Sequence, residues 1–127
     1  MGFPARAGIN MTGNDKVDKL IKQLESIFHS SNAGWKKSRR VRFHQFKLFL
    51  KFVGTKFKLD DIGFIRPTQV RAFVEWRREN RIRENTILTD ISTIRFWHKQ
   101  IPLRRYNLPS NELILGDGDL RDRTWKR

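Results

Sequence analysis

The chain has 127 residues, of which 27 are Lys or Arg and 13 are Asp or Glu, so its net charge at pH 7 is +14. This length allows one domain with a modest hydrophobic core, and so much positive charge favours a polyanionic partner. The absence of cysteine excludes a disulfide framework and a Cys-ligated zinc site, and no apolar run is long enough for a membrane span or a signal peptide. We therefore expect a cytoplasmic monomer that uses no cofactor and does not associate with membranes.

The N-terminal region predicts a flexible leader followed by an amphipathic helix. Residues 1–13, MGFPARAGINMTG, contain glycine and proline but no hydrophobic periodicity. Asn14 is a suitable N-cap for the first helix, and Asp15 and Asp18 complement the helix dipole in its first turn. Apolar residues then recur at helical spacing, and we expect them to pack on the rest of the protein. They are Val17, Leu20, Ile21, Leu24, Ile27 and Phe28.

The most basic part of the chain runs from Lys36 to Lys58, with nine Lys or Arg and no acidic residue in 23 positions. It predicts a second helix, capped by Ser38 and ending near residues 54–58, with two apolar faces. One face carries Phe43, Phe46, Leu50, Val53 and Phe57, and the other carries Val41, Leu48 and Phe52. Between the two faces lies a cationic ridge, which we define as Arg40, His44, Lys47 and Lys51. Such a ridge is ordinarily a solvated surface of a core helix, but the absence of acidic partners favours binding of a polyanion.

Two further helices are predicted after a connector over residues 59–69, in which Gly63 and Pro67 interrupt helix. Thr68 is the expected cap of the third helix, and Asn85 is the expected cap of the fourth, which Pro102 ends. The fold class is therefore all-α, a compact bundle of four main helices over residues 14–105 with a linker-like tail over 106–127. The predicted core consists of Leu20, Leu24, Phe46, Leu50, Val53, Phe73, Val74, Ile87, Ile91 and Ile94.

An ordered set of residues in the third and fourth helices carries a resemblance to a known family. The fourth helix reads N-T-I-x-x-x-I-S-x-I-R-x-x-H after a basic corner at residues 80–83. Over about residues 15–115, the chain resembles the N-terminal core-binding, SAM-like domain of the tyrosine recombinases, or phage-type integrases. The matching residues are Thr68, Val70, Phe73 and Val74, then Asn85, Thr86, Ile87, Ile91, Ser92, Ile94, Arg95 and His98.

The resemblance implies a four-helix module that clamps duplex DNA at a recombination site while a separate C-terminal domain cuts the strand. The family's chemistry requires arginines, a lysine, an H-x-x-R element and a tyrosine nucleophile in that second domain. His29, His44 and His98 occur in no such element, and Tyr106 has no evident base beside it. We therefore expect no catalytic residue in this chain, which we interpret as a fragment or a truncated gene whose parent would carry the catalytic domain. His98 lies on the apolar stripe of the fourth helix and is expected to be a core residue.

Two groups of candidate DNA contacts follow from the chemistry of their side chains. Phosphates are best bound by flexible or bidentate cations, whereas base edges are read by arginines or short polar side chains on a helix in the major groove. The predicted phosphate contacts are Lys36, Lys37, Arg39, Arg40, Lys47 and Lys51. The predicted base-reading or groove contacts are Arg83, Asn85, Thr86, Thr89 and Thr93.

Three alternatives to DNA binding remain open. A protein-interaction module or regulator that binds an acidic partner is the strongest of them. A helix lying on an anionic membrane fits less well, because the basic helix has two apolar faces rather than one. An independent enzyme is disfavoured because no acid, base and nucleophile cluster is visible. Asp117, Gly118 and Asp119 do not complete a calcium-binding loop, so no metal site is predicted.

Overall fold

The computed structural model of the protein describes residues 14–30, 37–118, 120 and 123–124, and within them the chain is mostly helical. Its long helices are α1 (Asp15–Ser30), α2 (Lys37–Lys56), α3 (Pro67–Glu79) and α4 (Glu84–His98), followed by the short α5 (Asn111–Leu115). A 3-10 turn over Ile62–Phe64 lies between α2 and α3. Strands β1 (Tyr106–Asn107) and β2 (Arg123–Thr124) pair antiparallel, with Tyr106 opposite Thr124. The predicted all-α character is confirmed, whereas the predicted leader over residues 1–13 lies outside the described residues.

Helix α1 begins where the sequence predicts, because Asn14 caps it. The side-chain oxygen of Asn14 accepts hydrogen bonds from the backbone N–H groups of Lys16, at 3.0 Å, and Val17, at 3.2 Å. These bonds satisfy donors that have no partner inside the helix. Further along α1, the Gln23 side chain accepts a hydrogen bond from the backbone of Ile62, at 2.9 Å. The first helix is thereby fixed to the 3-10 turn.

Helix α2 occupies the centre of the bundle, because its aromatic residues contact each of the other long helices. The Phe43 ring lies 4.7 Å from that of Phe28 on α1 and 6.2 Å from that of Trp97 on α4, measured between ring centroids. Near the other end of α2, the Phe49 ring meets Phe73 of α3 edge-to-face at 5.3 Å. Edge-to-face pairs add stabilisation beyond the area that they bury.

All ten residues of the predicted core are buried, so that prediction is confirmed. The core also contains Phe49 and Trp97, which are fully buried. Two apolar residues expected on the faces of α2 are instead exposed, Val41 at 48% and Phe57 at 39%. Phe57 lies beyond the last residue of α2, and Val41 lies in the early turns of the helix, so neither is covered by a neighbouring helix.

The predicted caps of α3 and α4 are each wrong by two residues. Helix α3 is capped by Arg66 rather than Thr68, since Pro67 takes the first helical position, where its missing N–H is not needed. The Gln69 side chain then accepts a hydrogen bond from the Arg66 backbone N–H at 3.0 Å. Helix α4 is capped by Arg83 rather than Asn85, which lies inside its first turn.

The segment after Tyr106 differs from the linker that the sequence predicts, because residues 106–118 pack on the helical bundle. Ile114 of α5 is fully buried. The guanidinium of Arg71 on α3 donates hydrogen bonds to the backbone carbonyls of Leu113, Ile114 and Gly118. One partly buried cation of α3 thus binds the carbonyl oxygens at and after the end of α5, and the folded unit extends past residue 105.

Candidate nucleic-acid interface

The cationic ridge lies on the side of α2 that no other helix covers. Arg40, His44 and Lys51 are exposed, and Lys47 is partly buried. The opposite side of α2 holds Phe46, Leu50 and Val53, which are fully buried. The ridge is therefore positioned by a helix whose remaining surface is fixed by the core.

Two ridge lysines carry a charge that no salt bridge within the described structure compensates. Within the described residues, neither Lys47 nor Lys51 forms a salt bridge. The ammonium of Lys47 lies 5.5 Å from the centroid of the Phe43 ring, a cation–π contact that is worth about 0.5–1 kcal/mol at an exposed site. This contact restrains the stem of Lys47 and leaves its positive charge available to an anion.

Three carboxylates of the described structure, those of Asp60, Asp90 and Glu84, pair with cations that lie outside α2. Asp60 lies 3.8 Å from the ammonium groups of both Lys16 and Lys19 on α1. Asp90 of α4 accepts a hydrogen bond from Arg77 of α3 at 2.8 Å. Glu84 pairs with Arg78 at 3.0 Å, which lowers the pKa of the carboxyl group. Because α2 itself contains no acidic residue, positive charge accumulates along this helix.

Four of the five residues predicted to read bases lie at the exposed start of α4. Arg83, Asn85, Thr86 and Thr89 are exposed, although the Thr89 hydroxyl already donates to the Asn85 carbonyl at 3.1 Å. Each of them can still offer a polar group to solvent or to a ligand.

Thr93 does not belong to this exposed row, which corrects the sequence prediction. It is only 2% exposed, and its hydroxyl donates to the Gln45 side chain of α2 at 2.8 Å. A hydroxyl that already donates to the Gln45 amide helps to hold α4 against α2. It is not available to a base edge.

The predicted phosphate contacts at the start of α2 fall largely outside the described structure. Lys36 lies outside the described residues, as do the side chains of Lys37 and Arg39. Sequence analysis missed Arg42, which is exposed and places its guanidinium 4.7 Å from the centroid of the Phe96 ring of α4. Arg42 could have been identified from its position in the basic run between Lys36 and Lys58. Arg42 extends the positive surface of α2 toward α4.

A groove of about 520 Å³ lies between α2 and α3. Its apolar lining includes Leu48, Phe52 and Trp76, and the rings of Phe52 and Trp76 lie 5.2 Å apart. Lys51 and Lys56 border it on α2, whereas Glu75 and Glu79 border it on α3. The groove therefore offers charges of both signs.

His98 and Tyr106, whose side chains are of types common in catalysis, are not among the residues of the ridge, of the exposed row at the start of α4 or of the groove. His98 is 6% exposed, and burial lowers its pKa to about 4, with a further contribution from Arg104 and Arg95. Tyr106 is partly buried, and the Arg66 guanidinium lies 5.3 Å from the centroid of its ring. In the part of the chain that is described, no group of three or more His, Asp or Glu side chains could hold a metal ion.

Comparisons with other proteins do not assign the chain to a family. No protein-family model matches the chain, and neither curated proteins nor solved structures give a match. Among the described helices, none is both long and apolar enough to cross a membrane.

Proposed function

We propose that this protein binds duplex DNA through the cationic ridge of α2, as the core-binding module of a site-specific tyrosine recombinase. It clamps the recombination site and leaves strand cleavage to a catalytic domain of a longer parent chain. The observation that carries the proposal is a solvent-facing row of cations on a central helix that contains no acidic residue.

The dimensions of the ridge suit a nucleic-acid backbone. Arg40 and Lys51 are eleven residues apart, which corresponds to about 16 Å along a helix axis. One strand of a duplex presents a phosphate about every 3.4 Å along its axis, so a surface of this length spans about five phosphates. Lys36, Lys37 and Arg39 precede the ridge in the sequence, and Arg42 lies beside it.

The family part of the proposal is supported by the sequence resemblance of α3 and α4. The exposed residues Arg83, Asn85 and Thr86 stand at the start of α4, where a helix entering the major groove would present them to base edges. In this proposal, α2 supplies affinity that is independent of sequence, and α4 supplies discrimination between sites.

The salt dependence of DNA binding tests the phosphate contacts. If about six phosphates are neutralised, log K should fall with log salt at a slope of about −5. Replacing Lys47 and Lys51 by Gln removes two charges and keeps most of each aliphatic stem, so we expect the slope to become less steep by about 2. Fluorescence anisotropy with a labelled duplex at several salt concentrations measures this. The matched control is Lys22→Gln, an exposed lysine of α1, which should leave the slope unchanged.

Substitutions in α4 test the base contacts separately. Arg83→Ala or Asn85→Ala should cost about 1–3 kcal/mol on a preferred site selected from random duplexes, and little on unrelated DNA. Incubation with supercoiled plasmid should leave no covalent adduct at Tyr106, because the proposed module performs no chemistry. Absence of DNA binding at low salt, or binding indifferent to both ridge lysines, would reject the proposal.

The groove between α2 and α3 favours a second candidate, a protein-interaction module. Its apolar floor and its borders of opposite charge, Lys51 and Lys56 facing Glu75 and Glu79, suit a polypeptide partner. This function predicts binding that depends on Trp76 and persists at salt concentrations that release DNA. Retention of a protein rather than nucleic acid after a high-salt wash would favour it.

A further inference from the structure

A second cationic site lies at the end of α4, remote in sequence from the ridge. It is a cleft of about 320 Å³, called here the α4 cleft. It is lined by Arg95, His98 and Lys99 from α4 and the residue that follows it, and by Arg104, Asn107 and Leu108 from the segment leading to α5. No carboxylate is among these lining residues.

The two cations contributed by α4 and its end carry uncompensated charge. Arg95 donates hydrogen bonds to the Asn111 side chain, at 2.9 Å, and to the Pro109 carbonyl, both of which are neutral acceptors. Lys99 is exposed, and neither residue forms a salt bridge within the described structure. Partial burial lowers the pKa of Arg95, because a charged group loses water there without gaining an opposite charge.

His98 supplies a buried polar group with no partner in the described protein. The residue is 94% buried, since its exposed fraction is 6%, and its imidazole lines the cleft. Its side chain makes no hydrogen bond among the described residues. The ring nitrogens of His98 are not sealed from solvent, so a ligand in the cleft that this residue lines can reach them directly. A neutral imidazole offers one N–H donor to such a ligand.

The end of a helix ordinarily repels anions, but two of its carbonyls are neutralised here. One amino group of Arg104 donates to the carbonyl oxygens of Lys99, at 2.9 Å, and Ile101, at 3.2 Å. These contacts offset the negative end of the α4 dipole where it borders the cleft. Cations near a helix end are common for this reason, but that role does not account for the unbonded imidazole of His98.

We propose that the α4 cleft binds a phosphate group, held by Arg95, Lys99 and Arg104 and by the N–H of His98. Guanidinium and ammonium groups together provide the charge-assisted bonds that phosphate oxygens accept. The volume lies at the lower end of small-molecule sites, so it admits the phosphate with a small attached body. The group comes either from a nucleic-acid backbone or from a free phosphate monoester. This proposal does not depend on the function of the α2 ridge.

Titration of the full chain with inorganic phosphate, followed by NMR of the His98 imidazole nitrogens, tests the proposal. We expect a saturable shift that chloride at equal ionic strength does not produce. Lys99→Gln should weaken binding about fivefold, because it removes one exposed charge, whereas Lys22→Gln on α1 should not change it. The Lys99 side chain is exposed, and the bond from Arg104 goes to its backbone carbonyl, which glutamine also supplies, so unchanged circular dichroism is expected for the variant. A shift that does not saturate, that chloride reproduces, or that survives both Lys99→Gln and Arg104→Gln would overturn the proposal.

The source of the phosphate is assigned by competition. A short duplex that displaces inorganic phosphate from His98 would identify a DNA backbone contact. Glycerol phosphate binding more tightly than inorganic phosphate, with no competition by duplex, would identify a small phosphate monoester. Because both results are read at His98, they remain distinct from any loss of salt-dependent DNA binding at Lys47 and Lys51.

Discussion

Replacing Gly54 by Ala tests how closely α1 and α2 approach each other. Glycine inside a helix normally destabilises it by about 1 kcal/mol relative to alanine, so this substitution would ordinarily stabilise α2. At Gly54, however, an added Cβ would lie 2.6 Å from a methyl group of Val17 and 3.2 Å from the Val17 Cα. It would also lie 3.2 Å from a methyl carbon of Leu20. The first distance is shorter than real contacts allow, so the sign of the effect depends on whether α1 can move.

We expect the crowding to outweigh the gain in helix propensity. The Val17 side chain is β-branched and has one strongly preferred rotamer in a helix, and its Cα can move only with the backbone of α1. Overpacking of this kind destabilises a protein by about 1–3 kcal/mol, whereas the higher helix propensity of alanine stabilises it by about 1 kcal/mol. The net expectation is a loss of up to about 2 kcal/mol, or a Tm lower by up to roughly 8 °C in a domain of this size.

Urea and thermal unfolding followed by circular dichroism measure the effect. Gly118→Ala is the matched control, because a Cβ there meets no heavy atom within 4 Å. In the double variant Gly54→Ala/Val17→Ala, removal of the Val17 methyl groups should recover part of the loss, which appears as a favourable coupling energy. A Gly54→Ala protein more stable than wild type by about 1 kcal/mol, as helix propensity alone predicts, or a double variant without coupling, would refute the close packing of α1 on α2.

Three further predictions concern stability. Leu50→Ala should lower the free energy of unfolding by about 2–5 kcal/mol in urea titrations, because Leu50 is fully buried in the core. Asp90→Ala should lower the free energy of unfolding by about 2–4 kcal/mol, because it leaves the Arg77 guanidinium, which is 16% exposed, without its carboxylate. A small effect would mean that another group stabilises the charge of Arg77. Burial lowers the pKa of His98 from 6.5 in the unfolded chain to about 4 in the folded protein. As pH falls between these two values, the unfolded chain binds a proton that the folded protein does not, so the free energy of unfolding decreases. The loss amounts to about 3 kcal/mol, and His98→Gln should remove that part of the pH dependence of unfolding, measured between pH 7 and 4.

Helical periodicity identified most of the core because each helix buries a stripe with the period of its own backbone. Leu20 and Leu24 of α1, and Ile87 and Ile91 of α4, are buried where that period predicts. The N-cap at Asn14 was equally predictable, since its side chain bonds to the backbone two and three residues further along the chain. Phe49 was missed because other helices cover α2 along more of its surface than the two apolar faces that the sequence predicts, and Phe49 belongs to neither of those faces.

The remaining differences arise from contacts between residues that are far apart in the sequence. Thr93 belongs to a row of threonines that looks exposed, and only its bond to Gln45 of α2 accounts for its burial. The segment around α5 has the composition of a linker, but it is fixed by Arg71, more than forty positions earlier. Neither partner can be found from local spacing. The α4 cleft was missed for a different reason. Its lining residues lie within 95–108, but helical periodicity does not predict the turn after α4 that brings Arg104 back toward His98.

The central position of α2 links the stability of the fold to the proposed DNA contact. Ridge charges repel one another, and an isolated helix with this composition would gain little from its own sequence, which lacks acidic partners at i+4 spacing. The helix is held instead by Phe46, Leu50 and Val53, whose burial fixes its rotation in the bundle. That rotation also fixes the direction of the ridge. Lys51 is therefore directed to solvent by core residues one to five positions away in the sequence. Charge substitutions on the ridge therefore test binding with little effect on packing, whereas core substitutions in α2 affect both.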